Sequence, residues 1–102
     1  MANRDAGWIQ LFSENSQEAY DNIIQAVRIA EHPDVSLPAM ATTDGFIISH
    51  GMEAIELIPD EEVKKFIGKY KPAHPLLNVD QPITAGALDF TDYYFEHRRQ
   101  VA

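Results

Sequence analysis

The chain, 102 residues long, contains no cysteine. Disulfides, thiolate nucleophiles and any iron–sulfur cluster held by this chain's own cysteines are thereby excluded. Basic residues are scarce: eight lysines and arginines stand against sixteen aspartates and glutamates, for a formal net charge of −8. Binding nucleic acid needs a basic face that displaces counterions from phosphate, so no nucleic-acid partner is expected. There are five glycines, with neither a Gly-x-Gly-x-x-Gly turn nor a Walker-type lysine loop to cradle phosphate. No apolar run is long enough to cross a bilayer, since Ile47-Ile48 is soon followed by His50 and Glu53. No basic, apolar leader opens the chain, and the expectation is a cytoplasmic protein with no membrane partner. The four histidines, His32, His50, His74 and His97, are spread out, and none pairs at the i, i+4 spacing that holds zinc on a helix. No metal site is expected.

What is present is a globular composition, 45% hydrophobic and 24% charged, in a length suited to one small domain. The run at 8–12 (Trp-Ile-Gln-Leu-Phe) reads as a strand. Ser13-Glu14-Asn15-Ser16 is a turn with helix-start chemistry: Asn15 is a good N-cap, and Glu18 three positions on completes a capping box. Ala19, Ile23, Ala26, Val27 and Ala30 then recur at helical spacing, widened by Tyr20 and Ile24. Pro33 ends this helix near His32. The stretch 35–43 is apolar without alternation, as in a strand covered on both faces. Pro38 lacks a ladder donor and belongs near its beginning. Strand, helix and strand make a βαβ unit with a parallel pair and a right-handed crossover.

The segment 53–58 (Glu-Ala-Ile-Glu-Leu-Ile) alternates and predicts a third strand nearer an edge. Pro59 and Asp60 open a second helix, with Asp60 as N-cap and Glu61 and Glu62 in the first turn, where the dipole favours carboxylates. Its apolar face is Val63, Phe66, Ile67 and Tyr70. From 72 onward the pattern is lost among Pro72, Pro75 and Pro82, and Thr91 opens a short amphipathic end. The expected architecture is α/β: a three-layer unit with a short, mainly parallel sheet, βαβ plus a third strand and helix. Residues 1–71 form the α/β part, 72–90 an extended Pro-rich wrapping segment and 91–102 a short terminal helix. Such an inventory leaves sheet edges uncovered. The chain is therefore expected to be a piece of a larger protein or an obligate partner.

The residues of most chemical interest are Asp44-Gly45-Phe46-Ile47-Ile48-Ser49-His50, which follow the second strand. In open α/β sheets ligands bind outside the carboxyl ends of the strands. Asp44 can hydrogen-bond a ligand or orient a neighbour, or it can accept backbone N–H groups within its own turn. Gly45 reads as a backbone device, because Asp-Gly favours positive φ. Ser49 beside His50 is not a nucleophile–base pair by adjacency, and no nucleophile elbow surrounds it, which argues against a hydrolase. The plain alternative for His50 is a hydrogen-bonded loop histidine. Arg4, in the polar turn before the first strand, can reach a ligand edge or pair with Asp5 or Glu53.

Three stretches in order carry a resemblance: Asn3-Arg4-Asp5-Ala6-Gly7-Trp8-Ile9-Gln10-Leu11, Ser16-Gln17-Glu18-Ala19-Tyr20-Asp21, and Asp44-Gly45-Phe46-x-x-Ser49-His50. With Lys69-Tyr70-Lys71-Pro72 and Asp80-Gln81-Pro82, the sequence resembles the thiamine-diphosphate-dependent 2-oxoacid:ferredoxin oxidoreductases, most closely the α subunits of the enzymes that act on pyruvate. The resemblance implies the second half of a pyrimidine-binding α/β domain, part of a thiamine-diphosphate-binding fold. It implies an enzyme that decarboxylates pyruvate oxidatively, passes the acetyl group to coenzyme A and reduces ferredoxin. Thiamine diphosphate is the implied cofactor of the complete enzyme. Magnesium and the iron–sulfur clusters are held by other domains or subunits, which are the implied partners. No cofactor is expected on this chain alone. The family's glutamate that activates the aminopyrimidine, and its substrate-holding threonine and arginine, match no position here, so no catalytic residue is carried over. Asp44, Phe46, Ser49 and His50 are candidates for shaping the cofactor pocket or a subunit contact. The competing expectation is a self-contained acidic protein-binding module without catalysis.

Overall fold

The chain opens its regular structure with β1 (Ile9–Phe12), crosses through α1 (Ser16–Ala30) and returns as β2 (Ala39–Thr42), followed by α2 (Asp60–Ile67) and α3 (Tyr94–Val101). The computed structural model describes residues 2–86 and 88–101. It divides into two units, one ending at Tyr70 and one beginning at Lys71.

In the first unit β1 and β2 pair in parallel, with Ile9 opposite Ala39 and Phe12 opposite Thr42. The predicted βαβ unit is present. Pro38 stands just before β2, where its missing N–H is not required, and its carbonyl accepts from the Ile9 N–H at 3.0 Å. At the far end the Thr42 carbonyl accepts from the Ser13 N–H at 3.0 Å. The Ser13 hydroxyl accepts from the Asn22 side-chain amide at 2.9 Å. That bond ties the end of β1 to α1 and lets Ser13 be buried.

α1 starts as the sequence indicates. Asn15 has extended backbone angles, and its side-chain oxygen accepts from the Glu18 N–H at 2.8 Å. Glu18 reaches back one residue further than a capping box requires and accepts from the Glu14 N–H at 2.8 Å. The helix closes at Ala30, two residues before the predicted end. A tight turn follows, in which the His32 carbonyl accepts from the N–H groups of Val35 and Ser36.

The third strand is not formed. Residues 53–58 have no regular secondary structure and pair with no strand. Their partner is the side-chain row of α1. The Gln17 amide donates to the Glu56 carbonyl at 3.2 Å and accepts from the Glu56 N–H at 2.7 Å, as a neighbouring strand would. The Tyr20 hydroxyl accepts from the Ile58 N–H at 3.2 Å. A period-of-two pattern reports that alternate side chains face different surroundings. It does not say whether the backbone meets a strand or a helix.

The second helix also begins differently from expectation. Pro59, not Asp60, holds the N-cap position, and the Pro59 carbonyl accepts from the Glu62 and Val63 N–H groups. Asp60 is already helical, in the first turn with Glu61 and Glu62, where the dipole still favours its charge. Gly68, at φ 77°, ends the helix. The Arg28 guanidinium donates to the Ile67 carbonyl at 3.4 Å, placing a cation at the negative end of α2.

Within the first unit α1 is the element that packs on the sheet, and α2 packs on α1. Among the described residues of this unit α1 is the only helix in contact with the sheet, so no third layer is seen there. Among the described residues no hydrophobic side chain is fully buried. The accessible surface is 8971 Å². A folded monomer of this mass exposes about 5,800 Å², and two separate units of these lengths about 6,900 Å². Large apolar side chains such as Met52, Leu77 and Val79, each at least 90% exposed, lie on this surface.

The second unit has no strand among its described residues. Its Phe90 carbonyl accepts from the Tyr93 and Tyr94 N–H groups and leads into α3. The His97 ring bonds the Asp89 carboxylate at 2.5 Å.

Candidate functional site

The stretch from Thr43 to Met52 leaves β2 at its carboxyl end and forms a loop held together by its own side chains. Asp44 Oδ1 accepts from the Ile48 N–H at 2.7 Å. The Ser49 hydroxyl accepts from the Phe46 N–H at 2.9 Å. The Phe46 carbonyl accepts from the His50 N–H at 3.1 Å. The Phe46 and His50 rings stack with centroids 5.1 Å apart and planes 7° from parallel. All four predicted residues are thus brought together. Asp44 takes the second of its two expected roles, accepting a backbone N–H in its own turn.

One detail departs from the sequence reading. Gly45 does not occupy the positive-φ region, whereas Phe46 does, at 125°. A phenylalanine held there is strained, and the strain sits on the residue whose ring projects, with Phe46 71% exposed. Gly51 is the glycine with a steric purpose. A Cβ on it would lie 2.9 Å from the Ile47 carbonyl oxygen. No turn dipeptide marks Gly51 in the sequence, where it lies between His50 and Met52.

The loop's stem is anchored twice on the β1–α1 connection. Thr42 accepts from Ser13 as described, and its hydroxyl donates to the Leu11 carbonyl at 3.3 Å. Beyond the loop, Glu53 Oε2 accepts from the Ser16 N–H at 2.7 Å. This carboxylate fills an orphan donor at the start of α1 from 37 residues away in sequence. Hydrogen bonds from Ser16, its hydroxyl first and its backbone N–H second, hold the Glu53 carboxyl below the ordinary value of 4.5. Sequence reasoning weighed Glu53 only as a partner for Arg4. Arg4 instead pairs with Asp5 at 3.4 Å on the surface, an arrangement that contributes little.

Beside the loop, at the carboxyl ends of both strands, lies an open cleft of about 480 Å³ lined by Gln10, Phe12, Ser13, Thr42, Thr43 and Asp44 among others. Residues 43–53 include no lysine or arginine. The loop therefore offers a stacked aromatic surface, carbonyls and a carboxylate. Among the described residues no three His, Asp or Glu side chains converge to hold a metal ion, and no helix is long and apolar enough to cross a membrane.

A parallel βαβ unit with a braced loop beyond its strand ends, and too little core to stand alone, defines a part of a larger α/β ligand-binding protein. Comparison with known proteins makes this specific. Residues 1–102 match the family described as pyruvate flavodoxin/ferredoxin oxidoreductase, thiamine diphosphate-binding, and the chain belongs to that family. It is 63% identical over 100 residues to pyruvate synthase subunit PorA of Thermotoga maritima, covering 98% of this chain and 26% of the relative. It is 46% identical over 101 residues to PorA of Methanocaldococcus jannaschii, covering 99% of this chain and 26% of the relative. It is 41% identical over 102 residues to ketoisovalerate oxidoreductase subunit VorA of Pyrococcus furiosus, covering 100% of this chain and 25% of the relative. The chain spans about a quarter of the length of the curated relatives it matches. The resemblance found in the sequence is that of the family.

Proposed function

We infer that this chain is part of the α subunit of a 2-oxoacid:ferredoxin oxidoreductase acting on pyruvate, and that it is inactive alone. The observation that carries this reading is the family match over the whole chain, with 63% identity to the Thermotoga maritima pyruvate synthase subunit against 41% to a ketoisovalerate one, while other pyruvate synthase subunits range down to 38%. In the complete enzyme pyruvate loses carbon dioxide, its acetyl group passes to coenzyme A, and its electron pair goes to ferredoxin. Thiamine diphosphate supplies carbanion stabilisation when bound, and the protein supplies binding and orientation.

The chain's own part is the second half of the pyrimidine-binding domain, residues 1–71, followed by a wrapping segment at 72–90 and a short end at 91–102. The Asp44–His50 loop supplies one wall of the cofactor site, with the Phe46–His50 stack as the ring-facing surface. The diphosphate, magnesium and the iron–sulfur clusters belong to other domains or subunits, in keeping with the absence of cysteine from this chain and of lysine and arginine from residues 43–53. The enzyme works in the cytoplasm. The uncovered sheet face and the many exposed large hydrophobic side chains support a chain completed by the rest of its subunit over a free-standing acidic module.

The test is reconstitution. The isolated chain, given pyruvate, thiamine diphosphate, coenzyme A and ferredoxin, is expected to show no turnover. The complete subunit with its partners is expected to turn over pyruvate faster than 2-oxoisovalerate. Robust turnover by the isolated chain, or preference for the branched substrate, overturns the reading.

A further inference from the structure

The loop at 43–52 has its two ends on one short piece of chain. Ser13 holds the Thr42 carbonyl, and Ser16, three residues on, holds the Glu53 carboxylate. Immediately after Glu53 the Gln17 amide grips both backbone groups of Glu56. Gln17 and Tyr20 lie on one face of α1, three positions apart, so the helix offers a row of side chains along which 53–58 is laid. Inside the loop every bond described above is local. A segment of this kind, closed at its stem and braced within, moves as one body about its stem. Ordinary β-ladder bonds fix the β2 end. At the other end Met52 is fully exposed, so side-chain bonds from Glu53 and Gln17 fix the stem there.

We propose that Glu53 and Gln17 are positioning residues, which set where Asp44, Phe46, Ser49 and His50 stand relative to the carboxyl ends of β1 and β2, and through that loop govern the thiamine diphosphate site. The proposal rests on the functional reading given above. Neither side chain needs to touch the cofactor. Glu53 acts through the stem, and Gln17 acts by holding the stretch that follows Glu53 flat against α1. The arrangement also accounts for the two glutamates of 53–58. Its glutamates sit where one caps a helix and the other is gripped through its backbone.

The test uses the complete subunit assembled with its partners. Hydrogen exchange is read at the Phe46, Ile48 and His50 amides, which bond within the loop, and at Val27 and Arg28 as a reference inside α1. Thiamine diphosphate binding is titrated in parallel. Glu53→Ala and Gln17→Ala are each expected to speed loop exchange about tenfold, leave the α1 reference within about twofold and weaken thiamine diphosphate binding about tenfold, the scale of one or two lost hydrogen bonds. Glu53→Gln keeps an acceptor oxygen at the same reach and is expected to restore most of both signals. Unchanged loop exchange overturns the proposal. So does equal acceleration in α1, which would make the bonds a general staple, and so does faster loop exchange with unaltered cofactor affinity. If the unsubstituted assembly binds no thiamine diphosphate, the functional reading fails. Absent cofactor binding in that control identifies this failure separately.

Discussion

Two adjacent residues, Gly45 and Phe46, allow the loop's backbone to be tested by opposite substitutions. Phe46 carries φ 125°, and a side chain kept in such a region costs about 1–3 kcal/mol. Phe46→Gly removes that strain. It also gives up the stack on His50, about 0.5–1.5 kcal/mol, and frees the unfolded chain by about 0.4–1 kcal/mol. The terms nearly cancel, so the loop is expected to keep its stability to within about 1 kcal/mol. Phe46→Ala keeps the strain and loses the ring, and should be less stable than Phe46→Gly by about 0.5–2 kcal/mol. Gly45 lies outside the positive-φ region, and a Cβ there meets nothing within 4 Å. Gly45→Ala should therefore stabilise the loop by about 0.4–1 kcal/mol. Gly51→Ala is the control, since its Cβ would press on a backbone carbonyl at 2.9 Å that cannot swing aside. That substitution should cost about 1–3 kcal/mol. The assay is hydrogen exchange at the Ile48 and His50 amides in the assembled protein, read as local opening free energies. A Phe46→Ala loop more stable than Phe46→Gly, or a Gly45→Ala loop that opens more readily, would refute the reasoning.

Asn15→Ala removes the acceptor for the Glu18 N–H and should destabilise α1 by about 1 kcal/mol, whereas Asn15→Asp should be nearly neutral. Amide exchange at Glu18 separates the two variants, and equal loss in both would count against the cap. Because the folded pKa of Glu53 is depressed, its contribution is fully present above the ordinary value of 4.5 and is lost as pH falls through the lower folded value. Protection of the Ser16 amide should accordingly fall on acidification below pH 4.5 in the native protein. It should stay flat in Glu53→Gln, and a pH response in that variant would assign the titration to another group.

The first half of the chain was legible because its signals are local. Asn15 and Glu18 are close enough in sequence for one to cap and the other to reach back, and the apolar spacing after them serves a single helix face. Pro38 marked the edge of β2 by what it lacks. The stretch 53–58 was not legible in the same way. Its glutamates fall three residues apart, and the groups meeting its backbone are Gln17 and Tyr20, nearly 40 residues earlier in the chain. The Asp44–Gly45 pair misled at close range, since the strain moved one residue on, to Phe46. A turn dipeptide states where unusual φ is tolerated. The closure of the whole loop, including the tight passage at Gly51, decides where it is used.

By itself the sequence determined the parallel βαβ unit, the cap of α1, the absence of thiolates and cluster-holding cysteines from this chain, and the family to which the chain belongs. These follow from residue identity and short spacing, which remain the same whatever surrounds them. Tertiary structure alone decided that a helix would take the place of a third strand, that Glu53 would cap α1 from 37 residues away, and that Asp44, Phe46, Ser49 and His50 would be tied into one exposed loop by local bonds and a ring stack. Each of these depends on which distant groups meet, and a hydrogen-bond donor left open at a helix start carries no mark in the sequence of the carboxylate that will fill it.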